Sequence, residues 1–272
     1  MSQIDIRGIK IYYEVLGNIR SPETVVFLNG VMTSTASWSY QTPIFEKHGY
    51  KILLHDFRGQ LLSEKPEGPY SFRIHAEDTI GLFDQLGIEK AHLIGTSYGG
   101  EVGMRIAIDF PDRVKSLSII DSVSELDELL RSNVNNWKRL AEKGNFADFF
   151  WGLVPSCYSS YFIERNLSLL KFRAVHVEHF PQDFFAGQIR LYEAFLADLN
   201  MTPELNKIQA PSLVICGEDD ILKPPRFSKI IARNIPDSEF VIIPDCGHVT
   251  ILEQHRPLNS MLLGFVMKHS EK

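Results

Sequence analysis

Apolar positions along the chain gather into short unbroken runs separated by longer amphipathic ones. Residues 24–28, 50–54, 91–94, 114–120, 211–216 and 240–243 are near-continuous apolar runs of strand length. Continuous rather than alternating apolarity suits a parallel strand buried on both faces. Two further strands are expected at 4–6 and 10–15, on either side of Gly8. The intervening stretches carry helical spacing. In 71–86, Ile74, Asp78, Leu82 and Leu86 recur at fours beside Phe83, and Gly87 stands where a helix would end. Helices are also predicted over 38–48, over 101–108 up to Phe110-Pro111, after Pro224-Pro225, and over 251–268. Strand and helix alternate in this way in a doubly wound, mostly parallel sheet, here of eight strands, joined by right-handed crossovers.

The alternation lapses after the sixth strand. Residues 124–205 read as helices at 125–143, 146–153, 159–180 and 183–199. This stretch holds nine of the chain's 18 phenylalanines, together with Trp137, Trp151, Tyr158, Tyr161 and Tyr192. Because the alternation resumes at 211–216, the stretch is an insertion after the sixth core strand, not a separate terminal domain. The expected division is a core of 1–123 and 206–272, with 124–205 as a helical cap over the sheet's carboxyl edge. Most of its aromatics should hold the helices together, and a minority should line a pocket.

Composition narrows the function without naming it. Hydrophobic residues are 44% and charged ones 23%, ordinary for a soluble globular chain. A net charge of -6 gives no basic footprint for nucleic acid or an anionic membrane. No apolar run approaches the ~20 residues of a membrane span, and the N-terminus lacks the pattern of a signal peptide. Cys157, Cys216 and Cys246 are odd in number and widely spaced, which fits a reducing cytoplasm and small buried residues rather than a disulfide or metal set.

The chemistry centres on Gly95-Thr96-Ser97-Tyr98-Gly99, between a predicted strand and a predicted helix. G-x-S-x-G in that setting is a nucleophile elbow. A serine at the tip of so sharp a turn brings the chain close to itself two residues either side, where Gly95 and Gly99 stand. The helix start also points free N–H groups and a positive dipole end at the site. A serine hydroxyl needs a base, and the base needs a partner that fixes its tautomer. In an open sheet these belong at the carboxyl ends of strands. Among nine histidines, His248 follows the last strand and precedes the last helix, with Gly247 freeing the turn. The acid is sought in Gly217-Glu218-Asp219-Asp220, after the strand that reopens the alternation. Asp220 is preferred, Asp219 is second, and Asp121, at the end of the strand after the elbow helix, is a separate candidate. For the oxyanion, the N–H of Tyr98 and of Val31 are expected, the latter with Gly30 admitting a close approach and Met32 as fallback.

With these residues in place the chain resembles the α/β-hydrolase superfamily across essentially its full length. The matching features are Leu28-Asn29-Gly30, Asp56-x-Arg58-Gly59, the elbow, Gly217-x-x-Asp220-x-x-x-Pro224 and Gly247-His248-x-x-x-x-Glu253, in the order Ser…Asp…His. The resemblance implies structural roles for Asp56, Arg58 and Glu253. Asn29-Gly30 replaces the family's usual His-Gly, and residues 29–37 resemble the corresponding loop of hydroxyacyl transferases and polyhydroxyalkanoate enzymes. Leu61 stands where a second glycine is common in Arg58-Gly59-Gln60-Leu61-Leu62-Ser63. The expected activity is hydrolysis of a small ester, thioester or lactone with an apolar acyl or aromatic portion, needing no metal or cofactor. Alternatives are acyl transfer through the same triad and a ligand-binding signalling protein on this fold.

Overall fold

All eight expected strands form. The structure, a computed structural model, describes residues 2–271. The strands are β1 (Ser2–Ile6), β2 (Ile9–Gly17), β3 (Thr24–Leu28), β4 (Lys51–His55), β5 (Ala91–Thr96), β6 (Val114–Ile120), β7 (Ser212–Gly217) and β8 (Ser238–Ile243). They make one sheet in the order β1-β2-β4-β3-β5-β6-β7-β8. β1–β2 and β2–β4 are antiparallel, and the other five neighbours are parallel.

The continuous apolar runs are explained by two cores. In β3, Val26 and Leu28 face one core and Val25 and Phe27 the other. The first core takes Phe83 of α2 (Phe72–Gln85), Val102 and Ile106 of α3 (Tyr98–Asp109), and Ile231 of α8 (Pro225–Asn234). The second takes Phe45 of α1 (Thr42–Lys47) and Leu258, Leu262 and Phe265 of α10 (His255–Lys268). Burying both faces is what favours parallel strands of this composition.

Strand order reverses at β3. From β3 the chain crosses to β4 on one side, then returns past β3 to β5. The loops leaving β3 and β5 therefore diverge and open a crevice at their carboxyl ends, the usual ligand position in such sheets.

Two helical expectations need correction. Residues 38–48 are not one helix: a 3-10 turn spans Thr35–Trp38 and α1 begins only at Thr42, with Pro43 in its first turn. A proline is tolerated there because that turn's N–H groups have no helical partner. The closing helix is likewise broken at Gln254 (φ -128°, ψ 41°), giving α9 (Thr250–Glu253) and α10.

Between β6 and β7 lie α4 (Glu128–Lys143), α5 (Phe146–Cys157), α6 (Ser160–Val177) and α7 (Phe184–Asp198). Asp127, Asn145 and Ser159 cap α4, α5 and α6 through side-chain oxygens. Gly144, in left-handed geometry at φ 68°, ends α4. The segment leaves and rejoins the sheet through one neck. Met201 N–H donates to Ser124 O at 2.8 Å, the Ser124 and Thr202 hydroxyls meet at 2.7 Å, and Glu125 pairs with Asn200. Most of its phenylalanines pack on one another, as in the group Phe146, Phe149, Phe180, Phe184 and Phe185.

Candidate functional site

Four loops converge at the carboxyl edge of β3, β5, β7 and β8. Ser97 follows β5 directly, with φ 51° and ψ -120°. A side chain in this region is strained by about 1–3 kcal/mol, so the surroundings must hold it. They do so by close contact. A Cβ on Gly95 would lie 2.3 Å from Gly99 O, and one on Gly99 would lie 2.0 Å from Leu28 O. Only glycine fits at either position. Ser97 N–H donates to Ile120 O at 2.8 Å, and the Ser122 hydroxyl donates to Ser97 O at 2.9 Å.

The structure brings Ser97, His248 and Asp220 into one chain of hydrogen bonds. Ser97 Oγ lies 3.0 Å from His248 Nε2, and His248 Nδ1 lies 2.8 Å from Asp220 Oδ2. A carboxylate only accepts, so Nδ1 carries the proton and Nε2 is free to accept from the serine hydroxyl. Asp220 Oδ1 accepts from the N–H groups of Leu222 and Lys223 at 2.9 and 2.8 Å, which fixes the carboxylate's other edge. Burial works against a charged His248, but the Asp220 carboxylate outweighs it and raises the imidazole's pKa above its ordinary value.

The other acidic candidates go elsewhere. Asp219 is exposed, and its N–H donates to Cys246 O at 2.8 Å. Asp121 is fully buried and accepts from Gly217 N–H at 3.1 Å and Thr250 N–H at 3.3 Å, joining the acid loop to the histidine loop. Burial, reinforced by the Asp220 charge, pushes its carboxyl up to about 7.

Val31 and Tyr98 both line the cavity at Ser97, with Met32 beside Val31. Tyr98 is the first residue of α3, so its N–H has no helical acceptor. Gly30 O accepts from Gln60 Nε2 at 2.8 Å and from Thr33 N–H at 3.1 Å. Gly30 O and Val31 N–H belong to one planar trans peptide and point opposite ways. Gln60 therefore aims the Val31 N–H, a role absent from the sequence reading. Gly30 does not serve by close approach: a Cβ there would make only ordinary contacts, the nearest at 3.5 Å.

Asn29, in the usual histidine position, is fully buried. Its Oδ1 accepts from Trp38 Nε1 at 2.8 Å, and its Nδ2 faces His55 O, Asp56 Oδ1 and Gln60 Oε1 at 3.0–3.1 Å. Asp56 also accepts from Thr35 and Leu62 N–H groups, and Arg58 pairs with buried Asp78 at 2.6 and 2.8 Å.

Gly247 also acts differently from expectation. It is not in left-handed geometry; rather, a Cβ would meet Ser159 N at 2.5 Å. The α5–α6 junction sits on the histidine loop. His248 N–H donates to Cys157 O at 2.9 Å, and Glu253 accepts from Gly247 N–H at 3.0 Å and the Ser159 hydroxyl at 2.6 Å. Cys157 is accordingly only half-buried and lines a cavity, whereas Cys216 and Cys246 are buried. Burial pushes the Cys157 thiol up to about 12, so it stays neutral.

Two cavities meet at Ser97, of about 310 and 470 Å³ of empty space, partly open to solvent. The larger includes His248, Cys157, Leu153 and Ile251, while the smaller includes Leu130, Val134, Tyr192, Phe195 and Lys223. Trp137 borders both. Lys223 and Glu101 are a pair the sequence reading missed. Lys223 Nζ lies 3.2 Å from Ser97 Oγ and 2.8 Å from Glu101 Oε1, with side chains 4% and 0% exposed. Their only sequence signal was proximity: Lys223 is three residues past Asp220, and Glu101 four past Ser97.

A family model described as alpha/beta hydrolase fold matches residues 23–254. A protein provisionally named carbamate hydrolase RutD, from Azorhizobium caulinodans, is 29% identical over 257 residues, 94% of each chain. The 3-oxoadipate enol-lactonase 2 of Acinetobacter baylyi is 25% identical over 259 residues, 93% of this chain and 91% of that one. Among solved structures, MGS-M2, an alpha/beta hydrolase enzyme from a deep-sea metagenome library, superposes with a TM-score of 0.92 at 27% identity, over 100% of this chain and 98% of that chain.

Proposed function

The chain belongs to the α/β-hydrolase fold family, and from that premise we propose that it is a serine hydrolase of carboxylic esters, thioesters or lactones working through an acyl-enzyme. The observation that carries this reading is the Ser97–His248–Asp220 chain, with bonds of 3.0 and 2.8 Å. The lactonase name of one relative supports a cyclic or open ester as substrate.

Ser97 Oγ attacks the carbonyl carbon as His248 Nε2 takes its proton. Asp220 holds Nδ1–H and steadies the imidazolium. The N–H groups of Val31 and Tyr98 receive the oxyanion, each contributing about 2.7–4 kcal/mol if they match measured donors. His248 returns the proton to the leaving oxygen or sulfur, and water, activated by the same Nε2, then releases the acid. The insertion closes over both cavities as a lid and supplies an apolar wall for the acyl or aromatic portion. The larger cavity also gives an acceptor alcohol a place beside His248, so acyl transfer is a second outcome of the same intermediate. With a thioester donor and an added alcohol, free acid as sole product supports hydrolysis and a new ester supports transfer.

Ser97→Ala is expected to abolish fluorophosphonate labelling and lower turnover by ~10⁴–10⁶. Ordinary hydrolysis by that variant would end the assignment.

A further inference from the structure

Lys223 has no part in that sequence of steps, yet it is buried against the nucleophile. Its Nζ touches Ser97 Oγ at 3.2 Å and Glu101 Oε1 at 2.8 Å, and it lies 5.0 Å from the Phe195 ring centroid. Burying two charges is costly until their mutual attraction repays it. The surrounding wall of Leu130, Val134, Trp137 and Phe195 would accept an apolar side chain at this position. The Ser97–His248–Asp220 bonds use no atom of the ammonium. Tyr192 lines the same cavity, and its buried hydroxyl has no partner among the described residues.

The histidine fixes which part of a substrate meets Lys223. His248 must reach the leaving atom, and it borders only the larger cavity. The leaving group therefore lies there, and the acyl chain lies in the smaller cavity with Lys223. A hydrogen bond spans about 2.9 Å, so an ammonium in contact with Oγ reaches only substituents close to the scissile carbonyl. Charge decides their type. Glu101 already cancels Lys223, and a second carboxylate would sit unpaired in an apolar wall at high cost.

We propose that the smaller cavity selects acyl groups bearing a neutral oxygen, a hydroxyl or a carbonyl, on the second or third carbon. Lys223 Nζ is its main donor and the Tyr192 hydroxyl a second polar contact. The proposal rests on the acyl-enzyme reading above.

The test compares N-acetylcysteamine thioesters of butanoate, 3-hydroxybutanoate, 3-oxobutanoate and succinate, with thiol release as readout. The wild type should favour the hydroxy or oxo substrate over butanoate by about 10- to 100-fold in kcat/KM, the scale of one hydrogen bond to a charged group. In the paired variant Lys223→Met/Glu101→Gln, which leaves no lone buried charge, that ratio should fall to near one, whatever the absolute rate. Tyr192→Phe should reduce it by a smaller factor. A wild-type ratio near one, a ratio unchanged in the paired variant, or succinate as the fastest substrate overturns the proposal. If the paired variant does not fold, the wild-type ratio and Tyr192→Phe decide. A wild type that takes a fluorophosphonate and hydrolyses all four alike defeats this inference alone; one that does neither defeats the acyl-enzyme reading and this inference with it.

Discussion

The two sides of the cavity are built on opposite principles. On the sheet side, polar groups hold one another: Asp220 is bound at both oxygens, Asp121 bridges two loops, and Gln60 orients the Gly30–Val31 peptide. On the insertion side, the wall is Leu130, Val134, Trp137, Leu153 and Phe195, with the Tyr192 hydroxyl, unpartnered among the described residues, and the neutral Cys157 thiol. Hydrogen-bond networks fix atoms within tenths of an ångström, as proton transfer demands. An apolar wall fixes only shape and volume. In the proposed mechanism the edge governs rate and the wall governs selection, and the buried Lys223 lies against both Ser97 and the wall of the smaller cavity.

The largest effect that would sharpen this contrast comes from the edge. Asp220→Asn should lower kcat by roughly 10³–10⁴, because the wrong tautomer leaves Nε2 protonated. The pH profile gives a second reading. Burial alone would lower the His248 pKa, but Asp220 raises it, so the proton is held to higher pH. In the proposed mechanism neutral His248 is the base. Wild-type kcat/KM should therefore rise with pH through a midpoint above about 6.5, and in Asp220→Asn that midpoint should drop. A wild-type midpoint below the ordinary histidine value would remove Asp220 from its assigned role.

A wall substitution should act differently. Trp137→Leu enlarges both cavities without touching the hydrogen-bonded edge. It should shift the kcat/KM ratio between long and short acyl substrates by roughly tenfold, the scale of a methylene or two in an apolar pocket. Fluorophosphonate labelling should change by less than about threefold on the same reasoning. An equal fall for every substrate would break the contrast.

The smallest effect is at the junction of the two regions. Ser159→Ala removes both the α6 cap and the bond to Glu253. A lost cap costs about 1 kcal/mol, which in a chain of this size lowers Tm by about 2–4 °C. The melting curve checks it, and kcat should move little.

The strands were legible because burial on both faces leaves unbroken apolar runs. The elbow was legible because contacts at Gly95 and Gly99 exclude every other residue. What the sequence did not reveal are interactions that link distant segments. Asp220 was the preferred acid of Gly217-Glu218-Asp219-Asp220, but what separates it from solvent-facing Asp219 is its bond to His248, 28 residues away. Lys223 and Glu101 are 122 residues apart, and Gln60 acts 30 residues from Gly30. The sequence places Trp38 at the start of a helix over 38–48, but Trp38 closes a 3-10 turn with its indole N–H on buried Asn29, and α1 starts only at Thr42.

The neck at Ser124 and Met201 has a consequence for how such a protein diversifies. The two cut ends are already joined by a 2.8 Å bond, so the sheet experiences the insertion as a closed loop whatever its length. Loop-closure entropy grows slowly, about 0.6 kcal/mol for each doubling. The chain-entropy cost to the sheet of lengthening or shortening the segment is therefore small, but its packing is not free to change: Leu130, Trp137, Phe184, Leu191 and Phe195 share one core with Phe57, Phe72 and Tyr98. The histidine loop adds its own conditions: an incoming segment would have to offer Glu253 a donor where Ser159 stands and the His248 N–H an acceptor where Cys157 O stands.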